Sequence, residues 1–346
     1  MNVLIAAAKT GGHVYPATEV SKEFINNGHK AIFLGTNNLI ERNAIKDISE
    51  IQYEHIGMNG YRGNSILSKV LVLLSLPMNV FRVLKILWNN KVDSIIVFGG
   101  FISIPAAIAG LILLKPIYVH EQNTVLGSAN KIVSKFSKKI FLGMPLHKKN
   151  LKRSEVIGNP IRKSFVSKIQ NRTDDHVRIY ITGGSQGAKY LNDNLPPIFN
   201  DINIPISIRH QCGKGKKLEV EKLYKNFKEV EVKEFFDNPD SQIDWADFII
   251  SRAGALSLSE IISMKKGTLM IPLPNAVDNH QLLNARYVEK DGIGLVHEQE
   301  YGIDILKSSI KNIIETKEYL IWQQAEFKTN HMDAAHKIFT SVLENN

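Results

Sequence analysis

A chain of 346 residues, 44% hydrophobic and 22% charged, is too long for one small core and has the balance of a folded globular protein of two domains. Its single cysteine, Cys212, excludes a disulfide framework and fits a reducing cytoplasm. The net charge of +9 is uneven: residues 1–160 hold 19 Lys+Arg against 9 Asp+Glu, leaving 24 against 25 for the rest, so the first half should meet something anionic, whether nucleic acid, lipid headgroups or a phosphorylated substrate.

The chain opens on the apolar run Val3–Ala8, six residues with no basic region before it, which reads as a first strand rather than a secretory signal. Thr10-Gly11-Gly12-His13 closes that strand. The glycines let backbone approach a ligand, and a neutral imidazole there can act as a base near pH 7. A structural histidine is the alternative. The segment Ile66–Trp88 carries a helical stripe of Leu67, Leu71, Leu74, Met78, Phe81, Leu84 and Trp88, widened by Val70, Val72, Leu73 and Val83. Such a helix is either buried or touches lipid. Lys69, Arg82, Lys85 and Lys91 edge it, and Lys131, Lys135, Lys138 and Lys139 form a basic helix face in the same half, which suits an anionic leaflet. Neither it nor Ile102–Leu114 is a span: the uncharged stretches are 12 and 13 residues, and a bilayer needs about 20. Gly99-Gly100-Phe101 and His120-Glu121-Gln122-Asn123 follow further apolar runs and should open on the same sheet edge as His13. Glu121 can orient or assist a base, and Asn123 can bond a sugar or amide, unless both are polar loop residues capping helices.

Strands are predicted at 3–8, 30–34, 94–98, 116–120 and 139–142, then at 177–182, 206–210, 230–233, 247–251 and 268–272, with helical patterns between them. This alternation predicts α/β architecture with parallel sheets. The strand-then-glycine pattern of Val3–Gly12 restarts at Val177–Gly187, so two Rossmann-like domains are expected, jointed near Gly158-Asn159-Pro160 and facing each other across a cleft. Neither glycine turn has the G-x-G-x-x-G spacing and no G-x-x-x-x-G-K-[ST] occurs, which argues against a nicotinamide or P-loop enzyme.

In the second half, Gly183-Gly184-Ser185-Gln186-Gly187 precedes a helix, and its N–H groups and the Ser185 hydroxyl suit a phosphate oxygen. Arg162 follows the joint and is placed to reach a ligand. Phe248-Ile249-Ile250 ends a buried strand and leads through Ser251-Arg252-Ala253-Gly254 into a helix bearing Ala255, Leu256, Ser257, Leu258, Ser259 and Glu260. A glycine turn into a helix start gathers unbonded N–H groups that attract an anion. Glu260, about five residues further on, stands roughly 7–8 Å along the axis, about the distance from a nucleotide's phosphate to its ribose. An ordinary strand–helix joint with a solvated glutamate is the alternative. A later helix is expected to start on an Asp278 cap and to offer amides, among them Gln281 and Asn284, to sugar hydroxyls. There is no D-x-D and no Cys/His cluster, so no metal and no cofactor is expected, and leaving-group charge would be met by helix N-termini and arginine. No interleaved aromatic pattern for nucleic acid is present.

Taken in order, Thr10–His13, Gly99–Phe101, His120–Asn123 with Gly127 and Asn130-Lys131, Gly158–Arg162, Gly183–Ala188, His210-Gln211 with Gly213–Gly215, Arg252–Glu260, and Gln281 with Asn284 resemble the bacterial MurG-type N-acetylglucosaminyltransferases. The resemblance runs from residue 10 to 284. It implies a GT-B fold, with residues 1–160 as acceptor and membrane-binding domain and 161–330 binding UDP-N-acetylglucosamine. It also implies a final helix, 331–346, packed back on the first domain. The implied reaction is an inverting transfer of N-acetylglucosamine to the 4-hydroxyl of the muramoyl sugar of lipid I, giving lipid II, by a peripheral protein on the cytoplasmic face of the inner membrane. Implied roles are His13 as general base with Glu121 as helper, Glu260 on the ribose, Ser185 and Arg162 on nucleotide or phosphates, and Phe236 on uracil. Ala255, Leu256 and Ser257, with their neighbours Leu258 and Ser259, would lie near diphosphate and sugar, as would Thr10, Gly11 and Gly12 at the first glycine turn. Gln281 would contact the sugar and Asn123 the donor. The chain departs from the family pattern at Ala8 and Lys9 (usually glycines), at His280 (usually Gln) and at Phe101 (usually Tyr). Other GT-B-like enzymes, a diacylglycerol glycosyltransferase or a UDP-N-acetylglucosamine 2-epimerase, and a non-catalytic membrane scaffold remain as alternatives.

Overall fold

The computed structural model describes residues 1–8, 10–57, 66–148, 151–166, 176–202, 204–225, 227 and 229–345, with 66–73 described by backbone alone. The chain divides into two compact units: unit 1 is Met1–Arg162 with Thr329–Asn346, and unit 2 is Lys163–Lys328.

Unit 1 contains β1 (Asn2–Ala6), α1 (Gly11–Asn26), β2 (Lys30–Gly35), α2 (Leu39–Ile45), β3 (Gln52–His55), α3 (Ile66–Asn89), β4 (Ser94–Val97), α4 (Ser103–Ile112), β5 (Ile117–Glu121), α5 (Ser128–Val133), β6 (Lys139–Leu142) and β7 (Ser154–Val156). Its seven strands lie in the order β3-β2-β1-β4-β5-β6-β7 and every pair is parallel. Val3, Leu4, Ile5 and Ala6 are fully buried, because helices cover both faces of a parallel sheet. That is why the strand reads as an unbroken apolar run. The chain reverses its direction of travel across the sheet between β1 and β4, and the carboxyl ends of these two strands make the topological switch point where such folds bind ligands.

Unit 2 repeats the plan with β8 (Val177–Thr182), α6 (Lys189–Asn200), β9 (Ile206–Gln211), α7 (Lys217–Leu223), β10 (Val230–Lys233), α8 (Pro239–Trp245), β11 (Phe248–Ser251), α9 (Ala255–Ser263), β12 (Gly267–Met270), α10 (His280–Lys290), β13 (Gly294–Val296), α11 (Ile303–Glu315) and α12 (Glu318–Gln324). The six strands run β10-β9-β8-β11-β12-β13, all parallel, with the switch point between β8 and β11.

The last helix, α13 (Ala334–Glu344), belongs to unit 1 and packs on α1. Phe339 meets Phe24 edge-on with ring centroids 5.0 Å apart, and Glu23 Oε1 lies 2.9 Å from His336 Nδ1. Three strands were not legible in the sequence: β3, β7 and β13. All are sheet edges, and β3 and β7 are half-exposed and polar, so they lack the buried apolar run that marks the inner strands.

α3 packs one side in the core and exposes the other. Val80, Val83 and Leu87 face the core with α4, while Leu74, Met78, Phe81 and Trp88 are exposed, Trp88 at 75%. The side chains of Leu67, Lys69, Val70, Leu71, Val72 and Leu73 lie outside the described residues, as does Lys9. Leu111, Ile112 and Leu114 at the end of α4, which packs on α3, are exposed as well, as are Ile132 in α5 and Phe136 after it. Among the described residues, no helix is long and apolar enough to cross a membrane.

Candidate active site

In unit 1 the site is built from the loops after β1, β4 and β5. α1 starts at Gly11 on a Thr10 N-cap whose side chain makes no capping bond to the backbone. The Thr10 hydroxyl instead lies 3.3 Å from His13 Nδ1, and the Ala8 carbonyl lies at the same distance from that atom. A carbonyl can only accept, so this contact puts the imidazole proton on Nδ1 and the lone pair on Nε2. Nε2 faces the turn after β4: a Cβ on Gly99 would lie 3.0 Å from it, and Gly99 holds φ of 106°. Both facts require glycine there. Phe101, in the same turn, is exposed.

Glu121 ends β5 and is 2% exposed. Its Oε1 accepts from the backbone N–H and side-chain Nδ2 of Asn123, at 3.1 and 3.0 Å. Its Oε2 accepts from Gly127 N and Asn130 Nδ2, both at 2.9 Å. Four donors satisfy one buried carboxylate, which makes Glu121 the fastener of the 121–130 loop and the residue that orients Asn123. None of these bonds goes to His13. His120, beside it, is fully buried, with Nε2 3.1 Å from the Gly158 carbonyl and Nδ1 3.1 Å from Gln122 Nε2. Burial pushes its imidazole down to about 4, the Gly158 bond opposing and the proximity of His13 adding. Arg162 lies with its guanidinium 5.7 Å from the ring centroid of Tyr15 on α1, and that ring rests on Gly11, where a Cβ would come within 2.9 Å. Tyr15 carried no signal in the sequence beyond its place two residues after His13.

In unit 2 the glycine turn after β8 packs backbone on backbone against the turn after β9. A Cβ on Gly187 would sit 1.9 Å from the Cys212 carbonyl, and one on Gly213 2.2 Å from the Gln186 carbonyl. Ser185 is exposed on this turn. Gln211, at the end of β9, joins three strand ends: Nε2 donates to the Gly184 carbonyl at 2.9 Å, and Oε1 accepts from the N–H of Phe236 at 3.0 Å. Phe236 itself is 4% exposed, with its ring perpendicular to that of Tyr180 and the Lys233 ammonium 5.0 Å from its centroid.

α9 begins after Gly254 with no side-chain cap, so the N–H groups of its first turn have no capping side chain. Leu256, Ser257 and Glu260 are half-buried, and Ala255 is buried. Leu258 and Ser259 turn inward by helical periodicity; both are fully buried, and Ser259 Oγ donates to the Ala255 carbonyl. Glu260 lies close enough to Tyr180 that, with burial the first cause, the Tyr180 hydroxyl is pushed up to about 12. Asn284 is fully buried and donates to the Ala253 carbonyl at 3.2 Å, fixing the turn before α9.

The expected Asp278 cap is corrected. α10 starts at His280 on an Asn279 N-cap in the left-handed region, and Asp278 sits in a preceding 3-10 turn at φ 54°. The cap fails because neither side chain bonds the helix N–H groups. His280 Nδ1 contacts the Val277 carbonyl at 2.7 Å, and Gln281 Oε1 accepts from Leu273 N at 3.0 Å.

Two Rossmann-like parallel sheets with anion-seeking helix starts and polar groups on their carboxyl edges define a GT-B glycosyltransferase. Residues 3–142 match the glycosyltransferase family 28 N-terminal domain, and residues 178–338 the family's C-terminal domain. A relative from Idiomarina loihiensis is 31% identical over 335 residues, covering 94% of this chain and 92% of its own. One from Francisella tularensis subsp. tularensis is 33% identical over 337 residues, covering 92% and 90%. Both are named UDP-N-acetylglucosamine–N-acetylmuramyl-(pentapeptide) pyrophosphoryl-undecaprenol N-acetylglucosamine transferase. The crystal structure of Acinetobacter baumannii MurG matches with a TM-score of 0.84 and 27% identity over 99% of both chains. A UDP-GlcNAc 2-epimerase from Neisseria meningitidis, bound to UDP-GlcNAc, matches at 0.69 and 14% identity over the full length of both, which reflects the fold. The chain belongs to the MurG-type N-acetylglucosaminyltransferases of glycosyltransferase family 28.

Proposed function

We propose that the protein transfers N-acetylglucosamine from UDP-N-acetylglucosamine to the 4-hydroxyl of the muramoyl sugar of undecaprenyl-linked lipid I, with inversion. The observation that carries this reading is α9: an uncapped helix start at the switch point of unit 2, with Glu260 about a turn and a half further on. Such a start suits a diphosphate and a carboxylate at that distance suits a ribose. His13 Nε2 takes the proton of the attacking hydroxyl. That oxygen bonds to the anomeric carbon as the carbon–oxygen bond to UDP breaks, and UDP leaves with the electron pair. The α9 N–H groups, Ser185 and Arg162 meet the charge on the diphosphate. Glu121 acts by holding Asn123 in place. Gln281 reads the sugar.

Unit 1 docks on the membrane. Leu74, Met78, Phe81 and Trp88 of α3 are exposed apolar side chains, as are Leu111, Ile112, Ile132 and Phe136, and Arg82, Lys85, Lys131, Lys135 and Lys138 are exposed on the same stretches of chain. Apolar insertion plus cationic attraction is what holds a protein to an anionic leaflet without spanning it, here the cytoplasmic face of the inner membrane.

The test is incubation with UDP-N-acetylglucosamine and lipid I, diacylglycerol or no acceptor, with and without EDTA. Lipid II with stoichiometric UDP, formed from lipid I alone and unaffected by EDTA, is expected. A glycosylated diacylglycerol, or epimerised sugar nucleotide without acceptor, replaces the reading. Strict metal dependence removes the metal-free step.

A further inference from the structure

Arg252 leaves the carboxyl end of β11 and turns toward the ends of β12 and β13. Its Nη1 donates to the carbonyls of Ile271 at 2.9 Å and Pro272 at 3.1 Å. With the Gln299 amide turned so that its oxygen faces the guanidinium, that oxygen accepts from Nη1 at 2.7 Å and Nη2 at 2.9 Å. The cation also lies 6.0 Å from the ring centroid of Tyr190 on α6. Among the described residues, its partners are carbonyl oxygens and an aromatic face, with no carboxylate. One guanidinium thus cross-links the ends of three neighbouring strands.

Ile271 and Pro272 are buried and open the loop that ends in Gln281. The middle of that loop, 273–275 and 277–279, is exposed, and Asp278 and Asn279 hold left-handed backbone. Apolar packing therefore does little to place it. Ile271 N donates to the Ser251 carbonyl at 2.8 Å, and turn bonds from Ala276 N to Leu273 O and from Asn279 N to Ala276 O shape the middle of the loop; the side-chain ties at its two ends are Arg252 to the carbonyls of 271 and 272, and Leu273 N to Gln281 Oε1. A planar guanidinium has a fixed fork of donors, so whatever sets its plane sets both carbonyls.

We propose that Gln299 and Arg252 form a strut that positions Gln281 against the donor's sugar, making Gln299 a positioning residue for the sugar but not for the nucleotide. The proposal rests on the reading of Gln281 as the sugar contact. Without the Gln299 oxygen, Nη2 loses its acceptor in a half-buried place and the guanidinium is held at Nη1 alone, by the two loop carbonyls, so its plane turns toward water. The loop start is then released, while α9, Glu260 and the turn at Ser185 stay as they were.

The experiment is calorimetric titration of the full chain with UDP and with UDP-N-acetylglucosamine, for wild type, Gln299→Met and Gln299→Glu. Gln299→Met removes the acceptor at similar length; Gln299→Glu keeps one. Gln299→Met is expected to weaken UDP-N-acetylglucosamine about tenfold and UDP by less than about twofold, with Gln299→Glu restoring the sugar nucleotide to within about threefold of wild type. Unchanged sugar-nucleotide affinity in Gln299→Met overturns the strut. So does an equal loss for both ligands, or a Gln299→Glu variant as weak as Gln299→Met. Wild type that takes up no UDP-N-acetylglucosamine sinks the reading of the site itself; wild type that binds, beside an indifferent Gln299→Met, sinks the strut alone.

Discussion

In unit 1 the helix that follows β1 at the switch point, α1, carries His13; in unit 2 the helix that follows β11 at the switch point, α9, carries Glu260. The strand order is the same in kind, and both helix starts lack a side-chain cap. The fastenings differ. The edge of unit 1 is held by one buried carboxylate, Glu121, with four donors around it. The edge of unit 2 is held by the Gln211 amide and the Arg252 cation. The comparison teaches that topology supplies an edge where backbone donors gather, and that a few loop residues decide what the edge does.

The largest expected effect separates the two roles. His13→Ala should lower kcat about 10²–10⁴-fold, the usual worth of general-base catalysis, with calorimetric UDP affinity kept. Full activity would break the assignment of proton transfer to unit 1. Glu260→Ala should do the reverse: donor KM rises about 10–100-fold, as for loss of a charged hydrogen-bond pair, with a smaller change in acceptor KM. An unchanged donor KM would remove the ribose clamp from unit 2. Replacing both Phe81 and Trp88 by Ser should cut flotation with anionic vesicles about tenfold, and raising salt should cut it further, while UDP uptake stays as in wild type. Flotation that ignores both would mean the apolar face of unit 1 is not a membrane surface.

The smallest effect is thermodynamic. His120 and His331 in unit 1 are buried, with imidazoles pushed down to about 4 and about 3 by burial; in unit 2, His210 is pushed down to about 3 for the same reason. Their folded pKa values lie below the unfolded value of about 6.5. As pH falls below that value, the unfolded chain binds protons that the folded chain refuses. Stability present above about pH 6.5 is then lost, at about 1.4 kcal/mol per pH unit for each histidine. His297 in unit 2 is lowered by burial as well, so each unit carries two such groups and hydrogen exchange should open the amides of both units more readily as pH falls from about 6.5 to about 4. Exchange that does not change across that range would show that these histidines do not set the acid stability.

How much of this was legible depended on locality. The inner strands, the glycine turns and the helix starts announce themselves within ten residues, because parallel strands are apolar on both faces and tight turns need glycine. Tyr15 and Gln299 did not, nor did the role of Gln211, since each acts on a partner far along the chain: Gln211 on Gly184 and Phe236, Gln299 on Arg252, Tyr15 on Arg162. Phe236 shows the same limit from the other side. Its position in the pattern was readable, but its burial and its packing against Tyr180 and Lys233 were not.

The order of amino acids alone determined two doubly wound sheets, a base candidate after the first strand and an acidic group beyond an uncapped helix start, because each arises from short-range patterning of apolar, glycine and polar residues. Only the tertiary structure decided which polar side chains are buried fasteners and which are exposed, and which side of α3 meets solvent. Those outcomes depend on burial and on hydrogen-bond partners brought together from distant segments, and no local pattern carries that information.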